Sequence, residues 1–211
     1  MSAIGENIAR IRAEIDAAAR ETGRTGKDIT LVGASKMNDA AACQEAIAAG
    51  IDALGENRVQ EMTEKLKENA YDGAPLHFIG HLQRNKVKQV VGKAALIQSV
   101  GSKELLDEIE KVAARMELVQ DVLLEVNIGG EEAKSGFAPE ELPQAAAYAK
   151  GLAHIRVRGL MTIPPVAVEK GGNIPYFEKV HRLFVDISRE MYDNKWEYIS
   201  MGMSGDYADA V

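Results

Sequence analysis

Short apolar runs rich in β-branched residues alternate along this chain with longer stretches whose apolar positions recur every three or four residues. The short runs fall at 29–35, 51–54, 76–79, 95–98, 122–128, 155–161 and 197–201, and each reads as a strand. Helical periodicity occupies 39–49, 57–69, 83–91, 102–118, 139–150 and 175–192 between them. Ahead of the first strand, Ile4, Ile8, Ile11 and Ile15 recur at helical spacing with Glu6, Arg10, Arg12, Glu14 and Asp16 interleaved. That pattern predicts an amphipathic helix stopped by Gly23 and differs from the unbroken apolar core of an export signal. Strand followed strictly by helix implies a parallel sheet, either open and doubly wound or closed into a barrel.

Two features favour the barrel. No Gly-x-Gly-x-x-Gly follows the first strand, and most strands end in glycine or a polar residue: Gly33 to Lys36, Gly55-Glu-Asn57, Gly80-His81, Ser99-Val-Gly101, Asn127, Thr162 and Gly202. Polar groups at one end of every strand describe an active rim. A (β/α)8 barrel uses eight strands and about 250 residues, whereas this chain has 211 residues and seven predicted strands. A ring left open exposes two unpaired edges, which proteins avoid. The expectation is therefore an α/β, TIM-like (β/α)8 barrel with an extra N-terminal helix, a single domain over residues 1–211 whose last strand is missing from this chain.

Within that frame, the run Ile29-Thr-Leu-Val-Gly-Ala-Ser-Lys36 reads as a strand buried on both faces with a lysine emerging at the rim. An ammonium ordinarily titrating near about 10.4 can fall toward roughly 7 to 8 when desolvated at the mouth of an apolar pocket, and the free amine condenses with aldehydes. The same placement serves a lysine that simply reaches into water, and spacing leaves both readings open.

Charge narrows the partners. Lys plus Arg total 25 against 32 for Asp plus Glu, a net charge of -7 that repels a phosphate backbone, so nucleic acid is not expected. Arg84, Lys86 and Lys88 read as a solvated helix face. The single Cys43 lies in an alanine-rich helix and suits a reducing compartment. No stretch approaches the roughly 18 apolar residues of a membrane span, which places the protein in the cytoplasm. His77 and His81 are four apart on a strand, where that spacing does not join two imidazoles; His154 and His181 are isolated, and no metal site is expected. Gly129-Gly130 before Glu131-Glu132 reads as a turn, and Met161 and Met201 as core residues.

Six motifs in order, Gly33-Ala-Ser-Lys36, Gly55-Glu-Asn57, His77-Phe-Ile-Gly-His81-Leu-Gln-Arg-Asn-Lys86, Val126-Asn127 with Lys134-Ser-Gly136, Arg158-Gly-Leu-Met161-Thr162 and Ser200-Met-Gly-Met-Ser204, resemble the pyridoxal phosphate homeostasis proteins, also described as an alanine-racemase-like N-terminal domain family. The resemblance runs from the first helix to Val211. It implies a modified TIM barrel with an extra N-terminal helix, and pyridoxal 5'-phosphate (PLP) carried as a Schiff base on the lysine matching Lys36. Asn57 would border the cofactor, although an Asn after a strand is equally a cap for the next helix. Ser200, Met201, Gly202 and Ser204 would surround the phosphate, where hydroxyls and free N–H groups enter a helix; an N-cap on Ser204 with Gly202 easing the turn uses the same residues. Family members continue with an Arg-Ile-Gly-Thr-like strand that completes the phosphate cup.

The function implied is intracellular PLP homeostasis, holding the aldehyde and supplying it to apo PLP-enzymes without committed catalysis, by a protein that is mostly monomeric. The alternative is a PLP-dependent amino-acid racemase. Racemisation needs an acid/base on each face of the substrate carbon, which alanine racemases supply in part from a separate β-domain; here Tyr207 or His81 would have to serve. A barrel that only scaffolds other proteins is a third reading, and it predicts no yellow holo-protein.

Overall fold

The computed structural model describes residues 2–131 and 133–211. Seven strands pair in chain order, each parallel with the next: β1 Val32–Ala34, β2 Ala53–Glu56, β3 Leu76–Phe78, β4 Leu96–Val100, β5 Gln120–Glu125, β6 Ile155–Met161 and β7 Tyr198–Ser200. Sequential order bears out the barrel that the sequence favoured over an open doubly wound sheet. A doubly wound sheet reverses its order at a switch point, whereas crossovers that never reverse put every helix on one face and curl the other inward. This chain curls, and its strands end in a common C-terminal rim.

Local chemistry sets the helices. Ser2 accepts the Gly5 N–H ahead of α1 (Ala3–Glu21), and Gly23 at φ 74° supplies the left-handed residue that ends it. Asp39 caps α2 (Ala40–Ala48) and Ser102 caps α4 (Lys103–Arg115). α3 (Val59–Lys67), α5 (Leu142–Lys150), α6 (Ile174–Met191) and the short α7 (Tyr207–Ala210) complete the outer layer. Between sheet and helices, Leu54, Phe78, Val122, Leu124 and Leu160 pack against Met62, Leu106, Ile109, Leu142 and Val180. A second, smaller cluster of Leu96, Leu123 and Met161 fills the inside of the ring, the core position expected of Met161. Cys43 is buried in α2, also as expected.

Several boundaries differ from expectation. β1 is three residues long and only half-buried with Ala34 exposed, not a strand from 29 buried on both faces, because it is an edge whose sole strand partner is β2. β2 starts two residues later than expected, since Ile51 still donates to Ala46 in the turn that leaves α2. The expected helix over 83–91 is a 3-10 segment, Arg84–Gln89; Val87 and Val90, three apart, are both buried, a spacing that an i→i+3 turn stacks on one side. β5 stops at Glu125, and Val126 instead forms an isolated bridge with Phe137. Gly129 and Gly130 lie in a turn as expected, while Glu132 falls outside the described residues.

β1 and β7 are the edges of the sheet, and α1 ties to both. Arg12 reaches Gly50 O at 3.1 Å and Asp52 at 2.5 Å beside β1 and β2. Two residues on, Glu14 accepts the hydroxyl of Tyr207, just past β7. Among the described residues no helix is long and apolar enough to cross a membrane.

Candidate functional site

The rim collects Lys36, Asn57, His81, Glu125 and Ser200 from the ends of five strands or the loops after them. Lys36 does not end β1; it stands two residues beyond it in a turn and is exposed. The desolvation expected of it is therefore absent, because a three-residue edge strand offers no apolar wall. The turn itself is held. The Met37 N–H donates to Glu61 Oε2 at 3.1 Å, and Ser35 O accepts from Lys65 Nζ at 2.7 Å. Below the turn, Lys65 Nζ, Ser35 Oγ and Tyr71 OH all converge on Glu56 Oε1, at 2.6, 2.6 and 3.0 Å, with Glu56 fully buried. Burial, and then the Glu56 charge, drives the Tyr71 hydroxyl far above its ordinary pKa. Burial likewise raises the Cys43 thiol.

Asn57 follows β2. It does not cap α3: the cap position belongs to Arg58, which makes no side-chain cap bond. Asn57 Oδ1 is instead buried, without a hydrogen-bond partner among the described residues. Gly80 packs against it, since a Cβ there would lie 2.2 Å from Asn57 O. Of the two readings of Asn57, the capping one falls.

Inside the ring, Gln98 Nε2 donates to His77 Nδ1 at 2.9 Å, and Ser200 Oγ donates to Gln98 Oε1 at 2.6 Å. Burial lowers the His77 pKa to about 4, so the imidazole is neutral, with its proton on the other nitrogen. Ser200 thus spends its proton across the ring and is not the free anion donor expected. Beyond it, Met201 is only half-buried and Gly202 has φ 88°, where a Cβ would meet Tyr207 Cα and Ala210 Cβ at 2.9 Å. Ser204 is exposed and is not the cap of α7. Asp206 holds that place, accepting the Met203 N–H at 2.6 Å and Asn173 Nδ2 at 2.6 Å. Among the described residues the N–H groups of Gly202, Ser204 and Gly205 have no hydrogen-bond partner.

Sequence reasoning passed over Glu56, Lys65, Gln98 and Glu125. Glu125 ends β5, in step with Leu123, which faces the ring interior. Its Oε1 accepts from Ser135 at 3.2 Å, its buried Oε2 has no partner, and burial raises its pKa against the pull of that hydroxyl and of His81. Period-two alternation through Asp121, Leu123 and Glu125 was the signal available for it. Tyr207, one of the two candidates for the second base of the racemase reading, gives its hydroxyl to Glu14 on α1, and that bond raises its pKa.

Comparison with known proteins places this architecture. The alanine racemase N-terminal domain family matches residues 2–210. A pyridoxal phosphate homeostasis protein of Aquifex aeolicus is 41% identical over 206 residues, covering 98% of this chain and 90% of its own length. One from Pseudomonas aeruginosa is 36% identical over 211 residues, covering all of this chain and 90% of its own. The solved structure of PipY from Synechococcus elongatus with PLP bound superposes with a TM-score of 0.80 at 28% identity, covering 98% of this chain and 92% of PipY. On these matches the chain belongs to the alanine racemase N-terminal domain family, among the pyridoxal phosphate homeostasis proteins.

Proposed function

We propose that this chain binds PLP at the C-terminal rim of the ring and holds it reversibly on Lys36, serving PLP homeostasis without committed catalysis. The carrying observation is the juxtaposition at the rim of a lysine in a clamped turn after β1 and a buried, unpartnered amide oxygen, Asn57 Oδ1, after β2. An orphaned acceptor of that kind suits a ligand with a proton to give. When bound, PLP supplies an aldehyde with which an uncharged amine condenses, releasing water. Lys36 is open to solvent, so an aldehyde can reach its amine and leave again, as a reversible holder requires. Asn57 borders the aromatic ring of the ligand. Gly202 and Ser204 take the phosphate through free N–H groups beside Met201, and Ser200 joins them by exchanging its bond to Gln98 for one to the anion. The homeostasis proteins' names and the PLP-bound PipY structure support the same reading.

The racemase reading is not favoured: Tyr207, one candidate for its second base, is committed to α1, and the similar relatives are named homeostasis proteins. The protein works in the cytoplasm as a monomer and passes PLP to apo PLP-enzymes. Borohydride reduction of the PLP-loaded protein followed by peptide mapping tests the assignment. The pyridoxyl group is expected on Lys36 and is lost in Lys36→Ala; a label confined to another lysine overturns it. Optical rotation of alanine should stay constant with the purified protein, and turnover that Lys36→Ala abolishes would restore the racemase.

A further inference from the structure

Lys36 sits between two residues that are both gripped by α3. Glu61 and Lys65 lie four apart and so share a face of that helix. Glu61 Oε2 accepts the Met37 N–H at 3.1 Å, and Lys65 Nζ donates to Ser35 O at 2.7 Å. The grip has work to perform. β1 is a three-residue edge strand, and Met37 adopts φ 64° while 91% exposed. A left-handed backbone is unfavourable for a non-glycine residue, and an exposed side chain recovers none of that cost by packing. Hydrogen bonds must therefore hold the turn.

Lys65 can do so because its charge is matched in the interior. It is 7% exposed and pairs at 2.6 Å with Glu56, which also receives Ser35 Oγ and Tyr71 OH. Removing one member of such a pair leaves a buried charge alone. The buried cluster thereby anchors Ser35, the residue directly before the lysine, to β2, α3 and the loop that follows α3.

We infer that α3 is the positioning element of Lys36: Glu61 and Lys65 fix the residues on either side of it and so set where its amine stands when an aldehyde arrives. This rests on the PLP-holding reading above for its ligand, but not for its geometry. Neither residue touches the aldehyde; both act by removing backbone freedom before the encounter.

The test uses Glu61→Ala, Glu61→Gln and Lys65→Met with two readouts. The first needs no cofactor. Hydrogen exchange of the Met37 amide is slow in the wild type and accelerates about tenfold in Glu61→Ala, while Glu61→Gln, whose amide oxygen still accepts the N–H, restores at least half of the protection. Unchanged exchange in Glu61→Ala overturns the clamp. The second is a time course of borohydride-trapped pyridoxyl on Lys36 set beside total PLP bound by dialysis. Glu61→Ala is expected to slow trapping about tenfold while total binding changes about twofold or less; equal trapping rates overturn the inference. A protected Met37 amide with no wild-type label on Lys36 leaves the clamp standing and defeats the PLP reading alone. Lys65→Met is scored only with its melting temperature, since it strands Glu56, and the Glu61 pair decides the matter if that variant does not fold.

Discussion

His77 and Glu125 show how single titratable residues inside the ring write opposite signatures into stability. The His77 imidazole falls from its ordinary 6.5 to about 4 on burial, so between those values the unfolded chain binds the proton that the folded chain refuses. Stability is full above 6.5 and is lost as pH falls through the window, by about 3 kcal/mol at most. Chemical denaturation from pH 7 to 4.5 should show that slope, and His77→Gln, which keeps an acceptor for Gln98, should flatten it. Glu125 runs the other way. Its raised pKa means the folded protein keeps a proton that the unfolded chain has already released, so stability declines as pH rises through the shifted range. Glu125→Gln should therefore be more stable than wild type at pH 8, with the gain vanishing near pH 4. Neither behaviour could be read from residue type, because both come from burial beneath residues distant along the chain.

Elements obeyed the sequence where one amphipathic stripe met one packing face. In α4, Leu105, Leu106, Ile109, Val112 and Ala113 are all buried at helical spacing, as the periodicity over 102–118 predicts. Leu106 is fully buried, so Leu106→Ala should cost about 2 to 5 kcal/mol in urea denaturation. The sequence misled where an element's burial depended on what lay beyond it. The apolar run from Ile29 looked like a central strand, yet its position at the sheet edge leaves it short and half-exposed. The run drew attention to Lys36, but Lys36 stands in an exposed turn two residues beyond β1, without the protection expected of its amine. The alternation of polar strand ends was legible, and it located the rim correctly.

At the scale of the molecule the two ends of the ring divide their tasks. Opposite the rim, Asp121 at the start of β5 binds Arg156 at 2.6 and 2.8 Å and also Arg158, which reaches Glu197. A charge network at the N-terminal end of the strands contributes stability, while the site proposed for PLP lies at the C-terminal end. Asp121→Ala is expected to lower unfolding free energy by about 1 to 3 kcal/mol, since Arg158 is largely buried, and to leave the dissociation constant for PLP unchanged by dialysis. A change in PLP affinity as large as that of Asn57→Ala would contradict this division.

The order of strands and helices, the amphipathic α1, and the motifs that betray the family all follow from local pattern, because period and turn chemistry act within a few residues of one another. Three things required the third dimension: the edge position of β1, the convergence of three donors on one oxygen of Glu56, and the bond from Ser200 to Gln98. Each joins residues distant along the chain. A polar side chain at a strand end carries no mark of which distant partner it will meet or whether it will meet one, so the identity of the rim was written in the sequence and its wiring was not.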